Sequence, residues 1–278
     1  MSRFGLRTRP GLVTSTLLGN RSGFAPTSLP GLRLWLDADD VSTITASGSA
    51  VSKWTSKDTN SREFVQATSA DQPTTGANTL NGKNVVTFDR DFLVSDDASS
   101  VWKFLHDGAK YTLFAVVRFD TETLNRMALI HNTGDGGNIG FGVIYDDRNV
   151  ASRDHVIQHL VNNTQSNRAV INTSGNDFFV ADQFALLRLT GDPGNATAAN
   201  RSALRRNAGA AQSNNTQTGT PSDGDPSSAL SIGAANGGNG EFMKGRIAEI
   251  LVYERDMSAQ EVEDVEDYLA DKWGITLA

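Results

Sequence analysis

Apolar and polar residues alternate along LRLWLDA (Leu32–Ala38), with Leu32, Leu34 and Leu36 on one side. A period of two predicts a strand with one buried face. Further apolar runs predict strands at Val85–Phe88, Tyr111–Phe119, Gly140–Tyr145, His155–Val161, Phe184–Leu189, Ala229–Ile232 and Arg246–Tyr253, with a short hairpin around Ala203–Arg206. Turn-forming clusters such as Gly134-Asp135-Gly136-Gly137-Asn138 separate them. In Arg246–Tyr253, alternation puts Ile247, Glu249, Leu251 and Tyr253 on one face and Ala248, Ile250 and Val252 on the other. Both faces are largely apolar, which predicts a central strand in which Glu249 needs a partner. Helical spacing occurs once, at the C-terminal end. Ser258 and Glu261 form a capping box, Met257 can staple onto Val262, and Val262, Val265, Tyr268, Leu269 and Trp273 follow on one side before Gly274. The acids Glu261, Glu263, Asp264, Glu266 and Asp267 fall mainly on the opposite, solvated face. Many strands without interleaved helices predict an all-β sandwich of two antiparallel sheets.

Composition sharpens this picture. The 278 residues include 26 Gly, and Asn, Ser and Thr are dense, as short strands joined by turns require. There is no Cys, which excludes disulfides, thiolate metal sites and a thiol nucleophile. Residues 1–28 hold Arg3, Arg7, Arg9 and Arg21 and no acid; with a net charge of −7 overall, residues 29–278 carry −11. The division therefore reads as an extended basic arm over 1–28, with Phe4 among its apolar contacts, and one sandwich domain over 29–278. The arm suits an anionic partner; the body does not suit nucleic acid. The sequence shows no secretion signal and no membrane-spanning stretch. Residues 191–228 form a long polar stretch, of the kind that is functional or mobile in compact domains.

Two segments carry a family resemblance. LPGLRLWLDADDVSTIT (Leu29–Thr45) continues through VSKWTSKDTN (Val51–Asn60), Gln66 and Pro73 to LNGKNVVTFDRDFL (Leu80–Leu93). The second is SIGAANGGNGEFMKGRIAEILVYERDMSAQEVEDVEDYLADKWG (Ser231–Gly274). Together they resemble the concanavalin A-like, laminin G-like domains of bacterial surface proteins and bacteriophage structural proteins. The Ser-Gly-Asn-Gly usual after the first Trp turn is here Lys57-Asp58-Thr59-Asn60-Ser61. The resemblance implies a jelly roll of two antiparallel sheets with adjacent terminal strands. In such a body Trp35 and Trp54 read as packing residues, and Asp37 and Asp39 as turn or strand-end residues rather than acids of catalysis.

Candidate chemistry is sparse. Glycosidases on this fold need two neighbouring carboxylates on one strand, often Glu-x-Asp-x-x-Glu, and no predicted strand carries that pattern. Of His106, His131, His155 and His159, the last two share one face of a predicted strand about 13 Å apart, too far for one metal ion. No nucleophile turn or phosphate loop is present. The chain is therefore expected not to be an enzyme. Calcium is the one cofactor considered, through Asp135, Asp146 and Asp147, with plain acidic turns as the alternative. Trp102 and Tyr145, with Asn138, are the candidate glycan-binding residues.

These readings converge on a bacteriophage virion structural protein at the virion surface, a capsid decoration or short appendage. Its arm (Arg3, Phe4, Arg7, Arg9 and Arg21) would bind other virion proteins, and particle symmetry points to a homo-oligomer such as a trimer. The alternative is a tail-fibre domain or secreted adhesin that recognises a cell-surface glycan, with a glycan hydrolase ranked below both.

Overall fold

The computed structural model describes residues 23–122, 125–134, 138–148, 156–162, 168–172, 178–213 and 220–278; between 156 and 172 it describes backbone and the side chains of Ile157 and Val161. The basic-arm residues Arg3, Phe4, Arg7, Arg9 and Arg21, together with Asp135 and His155, lie outside the described residues.

Among the described residues, one sheet runs β1 (Leu32–Asp37), β17 (Lys244–Tyr253), β9 (Tyr111–Phe119), β14 (Ala185–Gly191), β15 (Ser202–Arg206), and β7 (Val86–Asp89) also pairs with β17. The other runs β13 (Arg168–Asn172), β12 (Val156–Asn162), β11 (Gly140–Asp146), β10 (Arg126–His131), β16 (Ser231–Ile232), β8 (Leu93–Ser95), β4 (Glu63–Val65), β3 (Ala50–Thr55), β2 (Ile44–Ser47). A two-residue hairpin, β5 (Thr79–Leu80) and β6 (Lys83–Asn84), stands apart. All named pairings are antiparallel, and the first and last strands are neighbours, Trp35 opposite Leu251. This is the expected jelly-roll sandwich.

Two apolar layers hold it together. Leu34, Leu36, Phe88, Leu113, Val117 and Ile250 meet Trp54, Phe64, Phe141 and Val143 between the sheets. Helix α1 (Ala259–Trp273) covers the outer face of the first sheet, where Val265, Leu269 and Trp273 pack on Trp35, Phe114 and Leu251. The capping box of Ser258 and Glu261 is formed, and Gly274 ends the helix at φ 68°, a left-handed conformation that costs glycine little.

Three expectations are corrected by this layering. β1 is buried on both faces, from Leu34 through Asp37, because the helix covers the side that alternation assigns to solvent. In β17 a bulge between Ile247 and Glu249 shifts the phase. Ile247 thus joins Ile250 and Val252 in the inter-sheet core, and Ala248 joins Leu251 and Tyr253 under the helix. The body's packing also begins upstream of Leu29: Phe24 packs on Tyr268 with ring centroids 5.8 Å apart, and Tyr253 Oη donates to Pro26 O at 3.0 Å.

Candidate functional site

The residues that carry the family resemblance come together as one buried polar cluster. Glu249, fully buried on β17, accepts four hydrogen bonds. Trp35 Nε1 and Tyr268 Oη donate to Oε1 at 2.6 and 2.9 Å; Lys272 Nζ and Trp273 Nε1 donate to Oε2 at 2.8 and 2.7 Å. Lys272 also reaches Asp37 Oδ1 at 2.6 Å, while Lys57 holds Asp37 Oδ2 at 2.9 Å and stands 4.1 Å above the Trp35 ring. Asp40 Oδ2 stands 2.9 Å from the same Lys57 ammonium, so three carboxylates share two ammonium groups. Burial pushes the Glu249 carboxyl upward, Asp37 adds to that, and Lys272 opposes it. Every Glu249 oxygen is occupied and screened from solvent, so the pair Glu249 and Asp37 is built to clasp β1, β17 and α1 together. It is the partner that Glu249 needs.

The sequence-predicted binding residues lie apart from one another. Trp102 is 1% exposed, wedged between Phe64 and Phe104, with Arg62 5.4 Å over its ring and its Nε1 donating to Ser95 Oγ. Tyr145 is fully buried and stacks on Phe119 at 4.8 Å. Neither ring offers a face to a sugar, which corrects their assignment as a glycan platform: both are core residues. Asn138 is exposed, beside Gly134. Asp146, buried, is gripped by Arg148 through both oxygens at 2.7 Å, and Asp147 Oδ2 accepts from Glu122 N at 3.4 Å. The guanidinium of Arg148 thus occupies the Asp146 oxygens that a calcium ion would use. Among the described residues no three His, Asp or Glu side chains converge as a metal cluster. His106 Nε2 meets Gly224 O at 2.9 Å, and burial holds its imidazole below the ordinary value.

The surface that remains is a rim where chain segments cross between the sheets. Residues 90–92 link β7 to β8, and residues 233–243 link β16 to β17. The second segment folds back at Ala235–Gly240, where Ala235 N donates to Gly240 O at 2.7 Å. It is fastened to β10 by Ala128 N donating to Glu241 O at 2.7 Å and by Asn236 N donating to His131 Nδ1 at 3.4 Å. Gly238, at φ 99°, lies flat on Phe92: a Cβ there would stand 2.2 Å from the ring. Phe242 packs on the same ring, centroids 5.9 Å apart, and at 36% exposure is the one exposed aromatic among the described residues. Around it Arg90 pairs with Glu122, and Arg126 with Glu241. Sequence reading missed Phe242 because it sits inside a segment that marks the fold. Its signal is a Phe flanked by a Gly- and Asn-rich turn.

Comparison with known proteins agrees with this architecture. Residues 93–263 match a laminin G family profile described as Concanavalin A-like lectin/glucanases superfamily. No curated protein matches the chain in sequence. Among solved structures, the binding domain of Paraclostridial Mosquitocidal Protein 1 is similar, with a TM-score of 0.59 at 13% identity, over 90% of this chain and 56% of that one. Trypanosoma rangeli sialidase in complex with the inhibitor DANA is similar with a TM-score of 0.55 at 14% identity, over 88% of this chain and 34% of that one. The chain thus spans about half and about a third of the lengths of these two structures, and the likeness is one of fold. With its profile match covering more than half of its length, the chain belongs to the concanavalin A-like lectin/glucanase superfamily and folds as a lectin-like domain of that family.

Proposed function

We propose that the chain is a non-enzymatic bacteriophage virion structural protein, a capsid decoration or short surface appendage that displays its lectin-like domain and is anchored by its basic N-terminal segment. The observation that carries this reading is the charge divide at the point where the chain joins the body. All four arginines of residues 1–28 precede Gly23, and the segment that follows is fastened through Phe24 and Pro26 to the helix-covered face. A basic segment attached there to a body of charge −11 suits an anionic assembly. The non-enzymatic part is supported by the carboxylates of the family signature, which are consumed in the clasp. A homo-oligomer, a trimer on a symmetric particle, fits the same role.

The test is mass spectrometry of purified particles together with deletion of residues 1–22. The cut leaves Phe24 and Pro26 in place. The protein is expected in wild-type particles, and the shortened chain is expected to keep its thermal midpoint but to be lost from them. Normal incorporation of the shortened chain sinks the anchoring role, and absence of the protein from particles sinks the virion role. A second reading, an adhesin or tail-fibre domain for host glycan, is favoured by the exposed aromatic at the rim.

A further inference from the structure

We infer that the rim formed by Phe92, Gly238, Asn239 and Phe242 is a binding site for a neutral hexopyranose with a flat C–H face. The inference rests on the lectin-like reading of the domain and not on its place in a virion.

An aromatic ring left at a protein surface forgoes burial, and one held rigidly there serves as a stacking plane. Phe242 has the required rigidity. Its ring is backed by Phe92, and Phe92 is pinned in turn by Gly238, whose missing side chain lets the backbone lie on the ring. The turn is held from below, by Ala128 N on Glu241 O and His131 Nδ1 on Asn236 N, so the platform is set before a ligand arrives. Asn239, next to Gly238 and exposed, donates through Nδ2 to Asn236 O at 3.2 Å; this leaves its Oδ1 as an acceptor for a sugar hydroxyl. Three glycines, Gly237, Gly238 and Gly240, keep the approach clear of side chains.

Charge selects the class of sugar. Stacking on Phe242 needs a pyranose whose axial hydrogens form a continuous face, as in β-linked glucose and galactose. An acidic sugar would be drawn by excess positive charge, but Arg90 and Arg126 are each faced by a carboxylate, Glu122 and Glu241. With each of these guanidinium charges matched by a carboxylate, the rim favours uncharged rings.

The full chain is titrated with four neutral probes (cellohexaose, laminarihexaose, β-1,4-galactotetraose and lactose) and two acidic ones (trigalacturonic acid and 3′-sialyllactose), with ligand-observed NMR as the readout. At least one neutral probe is expected to bind. Phe242→Ala is expected to weaken it roughly tenfold, a loss of about 1.4 kcal/mol, with Asn239→Ala weakening it less. Phe242→Tyr, which keeps the ring, is expected to bind as the wild type does, and this separates stacking from a folding defect. No binding by any neutral probe, equal binding by Phe242→Ala, or tighter binding of an acidic probe overturns the inference. A protein that binds sugar at Phe242 but is missing from particles refutes only the virion role. One that is present in particles yet binds no probe refutes only this site.

Discussion

His131 gives the rim a pH dependence that can be worked out in advance. Its side chain is 4% exposed, its Nδ1 accepts from Asn236 N, and burial, with Arg126 adding to it, lowers its pKa from 6.5 to about 3. In the native state the imidazole is therefore neutral, with its proton on Nε2. In the unfolded chain it titrates near its ordinary value. A folded pKa below the unfolded one means that the unfolded state binds more protons in the interval between them. The stabilising contribution is thus complete above about pH 6.5 and is lost as pH falls toward 3. At pH 5 the loss from this residue is about 2 kcal/mol, set by the gap of about 1.5 units between the ordinary pKa and the pH. The perturbation is His131→Gln, whose amide oxygen can still accept from Asn236 N but cannot titrate. Urea unfolding of both proteins at pH 7 and pH 5 is the assay. His106 and every other group contribute to both proteins, so the difference between the two pH effects isolates His131. Wild type is expected to lose about 2 kcal/mol more than the variant between the two pH values. Equal losses would show that His131 is charged or solvated in the native state, and the account of the buried imidazole beneath the rim would be wrong.

Two further substitutions probe the packing that supports the site. Glu249→Gln replaces one acceptor with a donor among four donors and leaves Lys272 with Asp37 alone. A loss of about 3–5 kcal/mol in urea unfolding is expected, as for breaking a buried ion pair, and a loss below 1 kcal/mol would refute the clasp. Gly245→Ala puts a Cβ 2.1 Å from Arg118 O, where β17 pairs with β9, and a neighbouring backbone cannot move aside as a side chain can. A loss of about 1–3 kcal/mol is expected in the same assay, and an unchanged midpoint would refute the contact.

How much of this was legible in the sequence depended on which physical signal each residue carried. β9 could be read to the residue, Tyr111–Phe119, because a long apolar run has few other uses. The C-terminal helix could be read because its cap, spacing and terminal Gly agree. β10 escaped notice: Met127 through His131 are all buried, so no alternation marks Arg126–His131 as a strand. β2, β3 and β4 are short and mix polar with apolar residues, so neither an apolar run nor a long alternation marks them. The bulge in β17 could not be read at all, since a period-two pattern contains no mark of a skipped phase. The candidate site fared worse. Trp102 and Tyr145 invited a glycan-binding reading by residue type alone, and tertiary packing put both inside. Asp146 looked like a hard-cation ligand, and a guanidinium two residues away holds it instead.

The difference between a legible fold and an obscure site has a physical cause. Holding β1, β17 and α1 together requires two indole N–H groups, a phenol, an ammonium and two carboxylates at fixed places, each satisfying another inside a dry layer. Few other residues could fill those positions, so the clasp writes a long, specific signature: Trp35 and Asp37 near one end, Glu249, Tyr268, Lys272 and Trp273 near the other. A stacking plane at the rim asks for far less. It needs one exposed ring, one backing ring and a turn without side chains, and many Gly- and Asn-rich sequences meet that requirement. The clasp residues are therefore those least able to reach a ligand, because their polar atoms are already used. The sugar site proposed above falls instead on the turn between β16 and β17, residues 233–243, where the ring of Phe242 is left partly uncovered.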